Sequence, residues 1–291
     1  LNFSGYIIQW QSDNKLNEIG MQRKEARKMR IFSLKSLLAI GLAGLLTGCS
    51  TVCLQKNCEP AVVKAIYTST PVQLDGHLDE AAWQTAPSHW LQLGRAVYDK
   101  TPLAMQASVG NVLREAGEYR LLWDDNYLYV GAIFSDSDLH AYGEEDQLPH
   151  YLLGDLAEVF IKPESDTYYW ELYATPASKM TTYFIPGRGC LMGELLTSAP
   201  FDLKVAAQVQ GTLNNWHDRD KSWSMEMAIP RKEIERYGAK FEPGHPWRIF
   251  LARYNYSRYL PSKELSSFPQ QAETPSFHII EEYGRLELIK P

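Results

Sequence analysis

Glu158 is the residue whose surroundings ask for a chemical explanation. In the run Leu156 to Lys162 it alternates with Phe160, while Ala157, Val159 and Ile161 fall on the opposite face of the expected strand. A carboxylate on so apolar a strand is costly to bury unless it is paired. It can accept hydroxyls of a ligand, or it can serve as the ion-pair partner of Arg253 or another cation, and the two look alike from residue types. Arg253 and Asn255 share one face of the strand expected over Trp247 to Tyr256, placed either for hydroxyl recognition or on a solvated sheet face. Phe277 and His278 follow Pro275 in a stretch without strand pattern. A loop there would present the Phe277 ring as a stacking platform, unless the ring plugs the end of the fold as apolar aromatics usually do.

Two acidic segments, Asp136-Ser137-Asp138 and Glu144-Glu145-Asp146, offer the hard oxygens that Ca2+ prefers, with a solvated loop as the alternative. Of the four cysteines, Cys53 and Cys58 are close enough to pair in an oxidising compartment, and Cys190 would then be single. A metal site at those cysteines lacks other His or Cys at ligand spacing. The net charge of −6 argues against nucleic acid as a partner, because binding a polyanion needs clustered cations.

From Met29 the chain carries a secretory pattern: Arg30 and Lys35 are cationic, and Leu37 to Leu46 form an apolar run too short to span a bilayer. The run ends in Leu46-Thr47-Gly48-Cys49, a lipobox in which a small residue precedes the cysteine that receives the lipid. Cys49 is therefore the expected lipidated first residue of a mature protein held in a bacterial cell envelope, with the acyl anchor as its membrane contact. The expected divisions are residues 1–48 as upstream extension and signal peptide, 49–65 as a lipidated tether, and 66–291 as the folded domain.

That domain reads as many short strands. Tyr119 to Trp123 and Tyr127 to Ser135 flank Asp124-Asp125-Asn126, whose residues tolerate tight-turn geometry, and so predict a hairpin. Leu156 to Lys162 and Tyr168 to Thr175 form the next pair across Pro163 to Asp166. Further strands are expected at Met180 to Ile185, Leu203 to Gln210, Ser222 to Ile229, Trp247 to Tyr256 and Arg285 to Ile289. Trp223, Met225, Met227 and Ile229 share one face, which must be buried in a packed sheet. Helix is expected only as a turn at Glu80 to Trp83 and a short segment at Arg231 to Tyr237 after Pro230. The pattern is all-β, an antiparallel β-sandwich of the immunoglobulin or jelly-roll kind with few short helices.

The ordered motifs then resemble the family 9 carbohydrate-binding modules. The opening is Val72-Gln73-Leu74-Asp75-Gly76-His77-Leu78-Asp79-Glu80-Ala81-Ala82-Trp83, followed by Leu122 to Val130 and by Gly154-Asp155-Leu156-Ala157-Glu158-Val159-Phe160-Ile161. The carboxyl end adds Trp223 to Pro230, then Phe277-His278 and Tyr283 to Leu288. The resemblance covers roughly residues 66 to 290 and implies a β-sandwich in which aromatic rings clasp a pyranose while polar side chains bond its hydroxyls. It assigns sugar contact to Glu158 and one wall of the clasp to Phe277. The other wall falls on Leu152, with Tyr151 or Tyr142 as replacements, and the Arg-x-Asn pair of the family reads Glu171 and Tyr173. A ligand other than a cellulose or xylan end would fit these changes.

Together with the lipobox, the resemblance implies a non-catalytic glycan-binding lipoprotein acting in carbohydrate uptake or catabolism, beside glycoside hydrolase partners, with Ca2+ as a structural ion. An enzyme is the second expectation, since the family is often attached to glycoside hydrolases. The third is haem binding through residues such as Met180 or His150, although no C-x-x-C-H motif is present.

Overall fold

The computed structural model describes residues 59–94, 113–188, 201–271 and 276–290, so Cys49, the Cys53 and Cys58 pair, and Cys190 lie outside the described residues. The folded unit is Cys58–Pro291. Its elements are β1 (Val62–Tyr67), α1 (Ala81–Thr85), β2 (His89–Trp90), β3 (Gln92–Leu93), β4 (Gly117–Trp123), β5 (Tyr127–Ser135), β6 (Leu156–Pro163) and β7 (Tyr169–Ala174). They continue with β8 (Met180–Ile185), β9 (Lys204–Gln210), β10 (Ser222–Pro230), α2 (Arg231–Ile234), β11 (Trp247–Asn255), β12 (Glu264–Phe268) and β13 (Gly284–Ile289).

The strands pair in the order β8-β7-β6-β11-β13-β1-β4-β5-β10-β9, with β12 beside β11 and β3, and β2 beside β4. All-β architecture with little helix is thus present. One correction concerns direction: β1 runs parallel to both β13 and β4, so the sheet is mixed. Parallel neighbours need a crossover rather than a hairpin, and the stretch holding α1, β2 and β3 lies between β1 and β4. β1 also starts at Val62, inside the segment expected to be tether.

The sheet curls so that two inner faces meet. On one side β4, β5 and β10 contribute Leu121, Trp123, Val130, Phe134, Trp223, Met225, Met227 and Ile229; on the other β6, β7 and β11 contribute Val159, Ile161, Trp170, Leu172, Ile249 and Leu251. Every second residue of each strand enters this core, as pleating dictates, and each such side chain is worth about 1.5–3 kcal/mol when fully buried. The β4–β5 turn closes because Asp124 Oδ1 accepts from the backbone of Asn126 and Tyr127, both at 2.7 Å.

The Asp75-Gly76 to Trp83 motif packs on the outside of this layer. Trp83 joins Leu122, Tyr129 and Ala228 in a second apolar cluster. Glu226 of β10 is fully buried and accepts from the backbone of Asp75 (3.0 Å) and Gly76 (2.9 Å) and from Trp83 Nε1 (3.0 Å). Burial pushes its carboxyl up to about 7 against the pull of these donors. Gly76 has φ +85°, and a Cβ there would lie 2.7 Å from the Ala207 carbonyl carbon, so the position takes glycine for two reasons. The motif clamps a loop to the sheet.

Candidate functional site on the outer face of the sheet

The face of β7, β6 and β11 turned away from the core carries the acids. Register sets Glu158 opposite Tyr173 and Ala252, and Phe160 opposite Glu171 and Phe250. Glu158, Glu171 and Tyr173 therefore share one face, with the two carboxylates on the diagonal between adjacent strands, and Tyr183 of β8 stands opposite Glu171. Phe160, Tyr169, Ile185 and Phe250 make the floor beside them apolar.

Glu158, Glu171 and Tyr173 are 1 %, 5 % and 2 % exposed. The Tyr173 hydroxyl donates to Glu171 Oε1, whereas Glu158 Oε2 is buried without a hydrogen-bond partner. Loss of water pushes Glu158 well above the usual carboxylate range, and the neighbouring Glu171 pushes the same way; Tyr173 and Lys263 pull it down. Burial likewise lifts Glu171 to about 7, opposed by the Tyr173 hydrogen bond. Two carboxyls this close in a dry setting resist ionising together, and the first to ionise raises the cost for the second.

Nearer solvent stand half-buried phenols. Tyr254 and Tyr256 stack at 6.3 Å, and the Tyr256 hydroxyl donates to the Tyr151 carbonyl at 2.7 Å. The exposed Lys263 sets its ammonium 4.9 Å from the Tyr254 ring centre and 5.4 Å from that of Tyr256, a cation–π arrangement. Burial, then the nearby acids, raises the Tyr151 phenol, so it remains a neutral hydroxyl donor at physiological pH. The group thus combines acceptors, phenol donors, ring faces and one cation.

Phe277 is placed differently from an open platform. Its ring is 6 % exposed and packs at 5.5 Å from both Phe250 and Tyr254 and 6.3 Å from Phe160. It fills the floor of the site, because three aromatic neighbours already take its faces and edges. His278 meets the Tyr169 hydroxyl at 2.8 Å.

Arg253 and Asn255 lie on the opposite face from Glu158, since Arg253 registers with Ala157. This corrects both alternatives for them: they stand neither beside Glu158 nor in solvent. Arg253 is wholly buried, donating to Asp136 Oδ2 at 2.8 Å and to the Ser135 carbonyl at 2.9 Å. Asn255 donates to Glu115 Oε2 at 2.6 Å. The same network absorbs the first acidic segment. Asp138 accepts from the Arg258 backbone at 2.8 Å and faces His140 at 3.1 Å. Asp146 accepts from the Met180 backbone at 3.0 Å, while Glu144 and Glu145 are exposed. Among the described residues no group of three or more His, Cys, Asp or Glu is arranged to hold a metal.

The residues considered for haem have close neighbours, although His150 Nε2 is buried without a hydrogen-bond partner. His150 Nδ1 meets Thr181 Oγ1 at 2.6 Å, and a Cβ on Gly143 would lie 2.8 Å from Nε2, so backbone covers that edge. Met180 sulfur accepts from Gln147 at 3.6 Å.

Sequence reasoning did not single out Tyr183, Tyr254, Tyr256 or Lys263. Tyr254 carried a usable signal: it alternates with Phe250 and Ala252, and so shares their face opposite Arg253. Lys263 and Tyr256 lie beyond the end of β11, where periodicity gives no direction.

Comparison with known proteins agrees with this architecture. The family described as "Carbohydrate family 9 binding domain-like" matches residues 74–240. A protein provisionally named as carbohydrate-binding, from Bacteroides uniformis ATCC 8492, is 13 % identical with a TM-score of 0.56, covering 79 % of this chain and 99 % of that one. A family 9 carbohydrate binding module from Caldicellulosiruptor kristjanssonii, solved in complex with cellotriose, is 14 % identical with a TM-score of 0.50, covering 79 % of this chain and 94 % of that one. At these identities the likeness speaks for the fold. No curated protein matches the sequence.

Proposed function

The chain belongs to the carbohydrate family 9 binding domain-like family, matched over more than half its length, and on that premise we propose that it is a non-catalytic carbohydrate-binding domain whose ligand engages Glu158. The observation that carries the reading is the Glu158 carboxylate, buried with Oε2 lacking any partner. A buried acceptor left empty costs about 1–3 kcal/mol, and more when charged. Sugar hydroxyls are donors of the right kind, and a pyranose also has an apolar face that the rings of Tyr254 and Tyr256 would meet.

The exposed Lys263, over the Tyr254 and Tyr256 rings, stands at the solvent side of the site. The two acids project side by side from one sheet face rather than flanking a gap, which favours binding over hydrolysis of a glycosidic bond.

The lipobox ending at Cys49 supports attachment to a bacterial cell envelope, with the domain serving carbohydrate uptake or catabolism beside glycoside hydrolases. Radiolabelled palmitate incorporation that disappears in Cys49→Ala is the expected result; equal labelling would remove the anchor.

The function is tested by a broad glycan screen on the full chain, followed by calorimetry. At least one glycan should bind, and the melting temperature should rise with its concentration. A screen without any binder overturns the reading.

A further inference from the structure

Three loops each offer one aromatic ring to solvent. Tyr142 between β5 and β6 is 57 % exposed, Trp216 between β9 and β10 is 67 % exposed, and Tyr259 between β11 and β12 is 40 % exposed. Hydrogen bonds fix these loops to one another. The Asn214 side chain accepts from the Ala141 backbone at 2.8 Å and donates back to its carbonyl at 3.0 Å, tying the Trp216 loop to the residue next to Tyr142. On the other side the Asp218 carbonyl accepts from the Tyr259 hydroxyl at 2.9 Å. Trp216 therefore stands on a loop held from both flanks.

The surroundings of these rings are polar. His217 lies 3.8 Å from the Trp216 ring centre, His140 stacks on Tyr142 at 5.7 Å, and Arg219 and Arg258 place guanidinium groups 4.8 and 4.7 Å from the Tyr259 ring. A protein interface wants a contiguous apolar patch. Single rings bordered by donors suit a flat, hydroxyl-covered unit, since C–H faces stack on rings and hydroxyls need fixed partners.

The rim is also continuous with the site. The loop that carries Tyr259 ends at Lys263, and the Tyr142 amide donates to the Leu153 carbonyl at 3.0 Å, next to the turn holding Tyr151.

We infer that this rim is a second glycan surface, a platform for successive pyranose units of a chain that has another unit at Glu158. The inference rests on the sugar-binding function proposed above and extends it from single sugars to chains.

The test is native electrophoresis of the full chain through gels holding hydroxyethylcellulose, arabinoxylan, glucomannan or pectin, alongside calorimetry with the component monosaccharides. Trp216→Ala and Tyr259→Ala should each weaken retardation about tenfold, the scale of losing one well-placed ring contact. Trp216→Phe should restore most of it, and monosaccharide affinity should be unchanged in all three. Equal retardation of the wild type and both alanine variants overturns the platform. So does a wild type that binds monosaccharides yet is not retarded by any polymer. A wild type that binds neither overturns the sugar-binding function itself.

Discussion

Replacing Glu171 with Gln turns the acid pair into a stability experiment. The native carboxyl is lifted by burial from an ordinary 4.5 to about 7. Between these values the folded state holds a proton that the unfolded chain releases, so stability is fully present below about pH 4.5 and falls as pH rises through about 7. At about 1.4 kcal/mol per pH unit, the native state forfeits about 2–3 kcal/mol between pH 5 and 8 on account of this one group. A Gln side chain is nearly isosteric with the protonated acid, and its Oε1 can still accept the Tyr173 hydroxyl bonded to Glu171. Glu171→Gln should therefore match the wild type at pH 5 and exceed it at pH 8. The gain should be about 5–10 °C in melting temperature for a domain of this size. Denaturation followed from pH 5 to 8 in both proteins measures the difference; groups away from Glu171 cancel in the comparison, while relief of the neighbouring Glu158 adds to the gain. A variant less stable at pH 8, or a difference independent of pH, would refute the reasoning.

Three structural predictions accompany it. Glu226→Leu strips the acceptor from the Gly76 amide and Trp83 indole and should lower unfolding free energy by about 3 kcal/mol in urea titrations, since each buried orphan donor costs about 1–3 kcal/mol. Gly76→Ala puts a Cβ at positive φ against the Ala207 backbone; a melting temperature equal to wild type would contradict the clamp. Arg253→Met leaves Asp136 buried and unpaired, a loss of about 3–5 kcal/mol. Most of that loss should return in Arg253→Met with Asp136→Leu, and a double variant no better than the single would argue against the ion-pair account.

Much of the fold was legible because its strands obey simple periodicity. Trp223, Met225, Met227 and Ile229 alternate into the core, and the Asp124 turn closes its hairpin as its residues demand. β12 was not legible: Glu-Leu-Ser-Ser-Phe buries Ser266 and Ser267 against β11, and serines supply no apolar rhythm. β1 overlaps the end of the expected tether, because a six-residue strand beside a polar segment looks like linker until both its parallel partners are known. At the site, Glu158, Glu171 and Tyr173 come together because one-residue alternation and register fix them on one face. Arg253 and Asn255 went astray for the same reason in reverse. Their alternation puts them on one face, but the sequence does not tell which face points inward, and a polar pair with an arginine is more often found outward than buried. Phe277 depended on a loop whose direction only packing decides.

The affinity of Glu158→Leu, which removes the hydrogen-bonding group altogether, for the best glycan from the screen tests the central claim most directly. Burial holds Glu158 well above the usual carboxylate range, so the bond at stake is that of a neutral carboxyl, and leaving the ligand hydroxyl unpartnered costs about 1–3 kcal/mol; calorimetry should show affinity about tenfold weaker, with the fold retained. Affinity equal to wild type would place the ligand elsewhere and leave the buried Glu158 without a binding role.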